Sequence, residues 1–219
     1  MLNIRSQGFK RYFANTSWML LEKFVSITVA LFVGVYVARY LGPERFGILS
    51  YAMSFVSLFS AISTLGLDNI VVRNLVQKPE DREKLLGTAF ILKIIGSLTL
   101  FGFVVVALQL TSNDDLTKLL TLIIAGGMLF QSFYVIDFYF QSQVEAKFIT
   151  IARYCSLFVT STTKIILVIT NASLFWFACT VVLGIIITGL SLVVIYTRRR
   201  LKILKWRFEW QMALDLLRD

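Results

Sequence analysis

Long apolar stretches separated by short polar segments dominate the chain. Six of these stretches are each near the roughly 20 residues that a helix needs to cross about 30 Å of hydrocarbon. They cover approximately residues 18–38, 46–65, 87–108, 118–138, 150–170 and 174–196. Both prolines, Pro43 and Pro79, fall in the predicted loops, so we expect no span to be interrupted by proline. The pattern predicts an all-α membrane protein built as a bundle of six transmembrane helices.

The spans divide the chain into three parts. A basic N-terminal segment, residues 1–17, precedes the six-helix lobe of residues 18–197, and a basic tail, residues 198–219, follows it. In the tail, apolar residues recur at helical spacing beside charged ones, which is typical of an amphipathic helix on the inner membrane surface. The alternative is that the tail leads into a further span. The apolar tail residues are Trp206, Trp210, Ala213, Leu214 and Leu217.

Basic residues are concentrated on one side of the predicted topology. An even number of spans places both termini on the same side, and the side richer in Lys and Arg is normally cytoplasmic. With the N-terminus inside, sixteen of the 22 basic residues lie on inner segments, and only Arg39, Arg45 and Lys118 lie outside. We therefore predict cytoplasmic termini. Most of the net charge of +9 then reflects topology, and we expect no nucleic-acid partner.

The composition narrows the function classes. The 219 residues are 57% hydrophobic and 16% charged, whereas soluble proteins carry about 25% charged residues. The chain has no His, which removes the imidazole that many hydrolases and metalloenzymes use, and its 2 Cys are too few for a thiolate metal cluster. We therefore predict a membrane protein that is not an enzyme and needs no cofactor.

Five charged residues within the predicted spans remain after those assigned to the inner and outer segments are counted. They are Glu22, Lys23, Lys93, Lys164 and, near the inner end of the fourth span, Asp137. Each costs roughly 2.5 to 3.5 kcal/mol at the bilayer centre if it faces lipid, so we expect these groups to face one another or a wet cavity. Three lysines against one or two carboxylates make such a cavity cationic, which suits an anionic, phosphate-bearing substrate. Alternatively, Glu22 simply neutralises Lys23 or Lys93.

Small and polar residues accompany the charges at helical spacing. Such stripes are compatible with a cavity lining or with close helix packing, and the stripe without a charge in the sixth span favours packing. The stripes are Thr16, Lys23, Ala30 and Gly34; Ala89, Lys93, Gly96 and Ser97; Arg153, Ser156, Thr160 and Lys164; and Ser173, Thr180, Gly184 and Thr188. Around Asp137, an aromatic and amide stripe could line a sugar site or face lipid. It comprises Gly126, Phe130, Phe133, Tyr134 and Gln141.

Three segments resemble a known family of membrane transporters. Tyr40–Gly47 (YLGPERFG) resembles the YLGPxxFG signature of bacterial polysaccharide flippases, the Wzx-type O-antigen transporters. Leu65–Asn69 (LGLDN) is similar to that family's next landmark, at the end of the second span. Asp137–Gln141 (DFYFQ), followed by Glu145–Lys147 (EAK), resembles its exit from the fourth span.

The resemblance implies a transporter of the multidrug/oligosaccharidyl-lipid/polysaccharide superfamily in the bacterial inner membrane. Such proteins move an undecaprenyl-pyrophosphate-linked oligosaccharide between leaflets, as in O-antigen and lipopolysaccharide biosynthesis. They do so by rocking two six-helix lobes around a central cavity. The partners it implies are the lipid-linked oligosaccharide, the polysaccharide polymerase and glycosyltransferases.

The resemblance also implies roles for individual residues. Glu22 or Asp137 would couple transport to H⁺ or Na⁺. Asp68 and Arg73 match a landmark at the cytoplasmic gate, where a structural pairing of the two is favoured. The candidates for substrate binding are Lys23, Lys93, Lys164 and, at the outer mouth, Arg39.

The length of the chain matches one lobe of this two-lobe family. We therefore expect the N-terminal lobe, with either a second lobe or a second copy of the chain as its partner. Two other functions stay open. One is a non-transporting membrane subunit that organises polysaccharide assembly, and the other is a multidrug or small-solute exporter of the same fold.

Overall fold

A computed structural model of the chain describes the backbone of residues 2–218 and the side chains of residues 13–218. The regular elements in this part of the chain are helices, with no strand. Short 3-10 segments, Pro79–Asp81, Met128–Tyr134 and Ile203–Lys205, connect some of them. The α-helices are α1 (Leu2–Leu58), α2 (Ser60–Thr64), α3 (Leu67–Gln77), α4 (Arg82–Gln109), α5 (Asp115–Gly127), α6 (Val135–Ser142), α7 (Ala146–Ile169), α8 (Leu174–Arg198) and α9 (Trp210–Arg218).

Five helical stretches in the described residues are long and apolar enough to cross a membrane. Four match the third to sixth predicted spans closely. They are Pro79–Gln109, Asp115–Ser142, Ala146–Ile169 and Leu174–Arg198. The fifth stretch, Phe13–Leu58, contains the first predicted span and most of the second. The chain is therefore a multi-pass, all-helical membrane protein, in which the first two predicted spans share one element.

Gly42 interrupts α1 where a loop was expected. Its backbone angles, φ 73° and ψ 171°, are not helical, and side-chain-bearing residues rarely adopt them. Pro43 follows at once and is itself helical, because proline has no N–H to contribute and is tolerated in the first turn of a helix. The prediction that Pro43 lies in a loop is wrong. A single non-helical glycine replaces the predicted loop.

The chain reverses direction at Gly42. In a straight helix, Gly34 and Met53 would lie about 28 Å apart at 1.5 Å per residue. Both instead line the same cavity of about 340 Å³. We call residues 13–41 the first arm of α1 and residues 43–58 the second arm. The second arm ends at Leu58, and the left-handed residues Leu65 and Gly66 separate α2 from α3.

Long-range hydrogen bonds that involve α1 mark the two ends of the bundle. At one end, which we call the Gly42 end, Tyr40 Oη donates to Ala172 O at 3.0 Å and Asn113 Nδ2 donates to Tyr51 Oη at 2.8 Å. At the other, which we call the tail end, Ala146 N donates to Asn15 Oδ1 at 2.6 Å. The segments predicted to be cytoplasmic meet at the tail end.

Each end of the bundle has its own apolar core. The core at the tail end joins α3, α4, α6, α8 and α9, and its fully buried members include Leu67, Leu86, Ile136, Phe140 and Tyr196. The core at the Gly42 end joins both arms of α1 to α4, α5 and α8, through residues that include Val37, Ala52, Leu100, Leu120 and Phe177. A charged side chain near these cores must therefore either reach the surface of the bundle or form an ion pair or hydrogen bond.

Close helix packing uses the small residues of three predicted stripes. Ser156 Oγ donates to Gly184 O at 2.8 Å, and a Cβ at Gly184 would lie 3.1 Å from Thr160, so these residues bring α7 and α8 together. A Cβ at Gly96 would lie 2.8 Å from Ile62 O. The middle of the fifth-span stripe and the small residues of the third therefore serve packing rather than a shared cavity. The packing predicted for the sixth-span stripe is confirmed at Gly184.

The aromatic stripe around Asp137 is not continuous. Met128–Tyr134 forms a 3-10 segment, which advances about 120° per residue where an α-helix advances about 100°. Over seven residues the faces before and after it rotate apart by roughly 140°. Phe133 packs against Phe90 of α4, with 5.1 Å between the ring centroids. The aromatic and amide residues of this stripe therefore do not form one continuous face.

The tail folds back onto the tail end of the bundle. Trp206 stacks against Phe90 and Tyr196, and Ala213 of α9 is buried in the core there. Trp210, Leu214 and Leu217 remain exposed. The predicted amphipathic helix is present, but its predicted apolar face divides into a part that packs on the bundle and a part that does not.

Candidate functional site

Two buried carboxylates share one guanidinium at the tail end. Arg153 Nη1 lies 3.4 Å from Glu22 Oε2, and Arg153 Nη2 lies 3.2 Å from Asp137 Oδ2. Ser26 Oγ donates to Glu22 Oε1 and Gln141 Nε2 donates to Asp137 Oδ1, each at 3.0 Å. Glu22 comes from the first arm of α1, Asp137 from α6 and Arg153 from α7. The prediction that Glu22 neutralises Lys23 or Lys93 is wrong, because its ionic partner is Arg153.

This cluster borders a cavity of about 240 Å³, which we call the acidic cavity. Glu22 and Asp137 are 7% and 6% exposed, whereas the Arg153 side chain is 42% exposed. An unpaired charge in such surroundings costs several kcal/mol, and one guanidinium compensates only one of the two carboxylates. When both are ionised, the cluster carries one net negative charge. The remaining lining residues are Asn15, Met19, Val72, Gln141, Ala146, Ile149 and Thr150.

Lys93 belongs to a separate ion pair. Its ammonium lies 3.1 Å from Asp68 Oδ1 and 4.6 Å from the centroid of the Phe138 ring. Lys93 is 5% exposed, so the pair and the cation–π contact together satisfy a charge that water cannot reach. The pair ties α3 to α4 and α6. Asp68 was expected to pair with Arg73, and the partner that the structure shows for it is Lys93.

Lys164 lines a different cavity, which we call the lysine cavity. It has a volume of about 340 Å³ and lies between the two arms of α1, α7 and α8, toward the Gly42 end. Lys164 is partly buried and has no ion-pair partner among the described residues. Apart from the hydroxyls of Ser50 and Ser54, the side chains around it are apolar. They are Val37, Phe46, Leu49, Met53, Phe177 and Val181, with Gly34 completing the wall.

Two of the predicted substrate-binding residues lie outside both cavities. Lys23 and Arg39 are exposed on the first arm of α1. Arg73 lies on α3, where its Nε donates to Asn74 Oδ1 at 3.4 Å. The three lysines therefore do not converge on one cationic cavity. The structure brings together Glu22 and Asp137, the two residues predicted to couple ions, and it separates the cations.

Arg153 is the site residue that sequence reasoning missed. It was counted with the basic residues of the inner side, although its helical spacing to Lys164 placed it on the same polar face. The segment of residues 137–147 was identified, and it surrounds the site. Asp137, Gln141 and Ala146 line the acidic cavity, and Glu145 accepts a hydrogen bond of 2.7 Å from Arg199 Nη2.

Comparison with known protein families gives a match over nearly the whole chain. The model of a family described as polysaccharide biosynthesis protein matches residues 12–218, nearly the whole chain. No curated protein and no solved structure matches it. Members of the matching family are typically transporters rather than enzymes. This multi-pass membrane protein therefore belongs to the polysaccharide biosynthesis protein family.

Proposed function

We propose that the chain is one lobe of a flippase that moves an undecaprenyl-pyrophosphate-linked oligosaccharide across the bacterial inner membrane. Family membership supports a role in polysaccharide biosynthesis. In this proposal both arms of α1 cross the bilayer, which gives six crossings and places both termini in the cytoplasm. The reversal at Gly42 and the meeting of the predicted cytoplasmic segments at the tail end support that topology.

The lysine cavity carries the proposal. A half-buried ammonium that has no ionic partner among the described residues attracts an anion strongly, because few water molecules screen it. Its apolar surroundings favour an anion that is attached to hydrocarbon. A lipid pyrophosphate combines these two properties, whereas the cation that a drug exporter usually carries would be repelled by Lys164.

A second lobe, or a second copy of the chain, completes the transport pathway in this proposal. The first arm of α1 exposes Lys23 within a candidate span. A lysine that faces lipid near the bilayer centre costs roughly 2.5 to 3.5 kcal/mol, so this face of α1 suits a wet pathway between lobes better than hydrocarbon. Lys23 and Arg39 would then contact the substrate from the side of the first arm. Alternating access follows when substrate binds one arrangement of the lobes more tightly than the other.

The acidic cavity is the proposed coupling site. One proton, or one Na⁺, on the cluster of Glu22, Asp137 and Arg153 would cancel its net negative charge. Binding the ion would therefore favour whichever arrangement of the helices buries the cluster more deeply. The prediction is that Glu22→Gln and Asp137→Asn uncouple transport in proteoliposomes from an imposed ion gradient.

Substitution of Lys164 tests the substrate assignment. In the gene product that carries this chain, Lys164→Ala is expected to abolish surface polysaccharide in a strain lacking its own flippase. Lys164→Arg is expected to retain part of the activity because it keeps the positive charge. Lys118→Ala serves as the matched control, since Lys118 lies outside the lysine cavity.

The readouts are surface polysaccharide, the amount of the protein in the membrane, and the accumulation of lipid-linked precursor in the inner leaflet. The proposal requires that precursor accumulates in Lys164→Ala while the protein level is unchanged. Wild-type surface polysaccharide in the Lys164→Ala strain would contradict the role of this cavity in transport.

A further inference from the structure

The surface of the tail has three distinct sides. At about 100° per residue, Trp210, Leu214 and Leu217 fall within an arc of roughly 60° on α9. They are 67%, 52% and 54% exposed. On one side of this arc, Ala213 and Leu216 are buried against the bundle. The opposite side carries the polar residues of the helix. The three large exposed residues therefore form an apolar edge between the bundle and the charged side, and we call it the tail edge.

The tail packs on the end of α4 that we expect to reach the headgroups of a bilayer. Arg207 N donates to Glu83 O at 3.2 Å, and Glu209 N donates to Thr88 Oγ1 at 3.1 Å. Both partners lie in the first two turns of α4, which begins at Arg82. The 28 residues of α4 span about 42 Å, more than the roughly 30 Å of hydrocarbon, so its first turns extend toward the headgroups.

Exposed basic side chains precede the tail edge in the chain. Arg200, Lys202 and Arg207 are exposed and form no ion pair among the described residues. In the 3-10 segment between them, Leu204 is 98% exposed. Apolar side chains flanked by unpaired basic ones are the pattern of a surface that binds anionic lipid, because the apolar groups enter the interface and the cations remain beside the phosphates.

We infer that the tail edge docks on the anionic headgroups of the leaflet at the tail end, with Trp210, Leu214 and Leu217 inserted at the interface. This surface is separate from the two cavities. The inference does not depend on the transported substrate, so it holds whether or not the chain is a flippase. A second protein that covers the tail edge is the competing explanation, and the test distinguishes the two.

The experiment measures the depth of one label on α9. The two free cysteines, Cys155 and Cys179, are replaced by serine, and Leu214→Cys then carries a fluorophore. The matched control is Asp215→Cys, which is also exposed but points to the charged side of the same helix. Each labelled protein is placed in nanodiscs of phosphatidylcholine, with or without phosphatidylglycerol. Quenching is measured with a nitroxide carried on the lipid headgroup and with a water-soluble quencher.

We expect the lipid nitroxide to quench the label at residue 214 at least twofold more than the label at residue 215, with the opposite order for the soluble quencher. Equal quenching at the two positions would overturn the inference. A label at residue 214 that is shielded from both quenchers would also overturn it, because protein would then cover the tail edge.

The second part tests the charge requirement. Phosphatidylglycerol is expected to strengthen docking, and replacing Arg200, Lys202 and Arg207 by glutamine should remove that dependence. A basic residue near an anionic surface changes the docking equilibrium by roughly fivefold. Lys118→Gln at the Gly42 end is the control and should leave the lipid dependence unchanged. Docking that is identical in the two lipid compositions would refute recognition of anionic headgroups.

Discussion

The tail crosses α4 at Gly87, where the backbone of Arg207 lies directly against the glycine. A Cβ built at this position would lie 2.6 Å from both the N and the O of Arg207 and 2.9 Å from its C atom. These are backbone atoms, so a rotamer change cannot relieve the contact. The same backbone segment is held to α4 by the hydrogen bond from Arg207 N to Glu83 O. We therefore expect Gly87→Ala to displace the tail from the bundle.

The magnitude follows from three terms. Overpacking of this kind costs typically about 1 to 3 kcal/mol. If the tail moves away instead, the Arg207–Glu83 and Glu209–Thr88 hydrogen bonds are lost at about 1 kcal/mol each. Alanine regains about 1 kcal/mol over glycine inside a helix. After the helix-propensity gain is subtracted, either route gives a net loss of at most about 2 kcal/mol in the free energy of unfolding.

A second glycine of α4 supplies the control. A Cβ at Gly102 would meet nothing within 4 Å, so Gly102→Ala keeps the gain in helix propensity without a clash. Because the propensity gain cancels between the two variants, we expect them to differ by the cost of the clash, about 1 to 3 kcal/mol, in detergent unfolding. Hydrogen exchange should accelerate at the amides of Arg207 and Glu209 in Gly87→Ala only. Equal stability of the two variants, with unchanged exchange at these amides, would refute the reasoning.

Three further substitutions test other contacts. Asp68→Asn leaves the buried Lys93 ammonium without its counter-charge and should lower the free energy of unfolding by about 1 to 3 kcal/mol, less than for a fully buried pair because Asp68 is half exposed. Adding Lys93→Met should recover stability, and a double variant less stable than Asp68→Asn would contradict this. Gly42→Ala forces a side chain into φ 73° and should cost about 1 to 3 kcal/mol in thermal unfolding, whereas Gly47→Ala, in open space, should not. A hydrogen bond from the Thr117 hydroxyl lowers the pKa of Asp114. The stabilising effect of this hydrogen bond is therefore present above about pH 4 and is lost as the pH falls through the lowered pKa, so Asp114→Asn should weaken the acid dependence of unfolding.

Much of the helical architecture could be predicted from the order of residues alone. The bounds of α7 and α8 lie within four residues of the predicted spans, because the length of an apolar run is a local property that the bilayer requires. The Gly42-Pro43 pair also marked the reversal, although the predicted loop proved to be one residue. The 3-10 segment Met128–Tyr134 escaped prediction, since its apolar composition is compatible with an α-helix.

The site was only partly predictable. Hydropathy showed that Glu22, Lys93, Asp137 and Lys164 are unusual in a membrane segment, but it did not show which of them meet. Glu22 lies 131 residues from Arg153 in sequence, and the two side chains meet only because α1 packs on α7. The packing of the helices also pairs Lys93 with Asp68, and it leaves Lys164 with no ionic partner in the part of the chain that the structure describes.

The sequence by itself therefore indicated that this is a membrane protein and gave the approximate extent of its spans. It also showed on which side of the predicted topology the basic residues lie and which charges need partners. Only the tertiary structure decided how those charges are partitioned between an acidic cavity, a buried ion pair and a lysine cavity. The physical reason is the range of the forces involved. Transfer of a helix into lipid depends on its own residues, whereas an ion pair depends on how two helices from distant parts of the chain are rotated against each other, which the packing of the whole bundle sets.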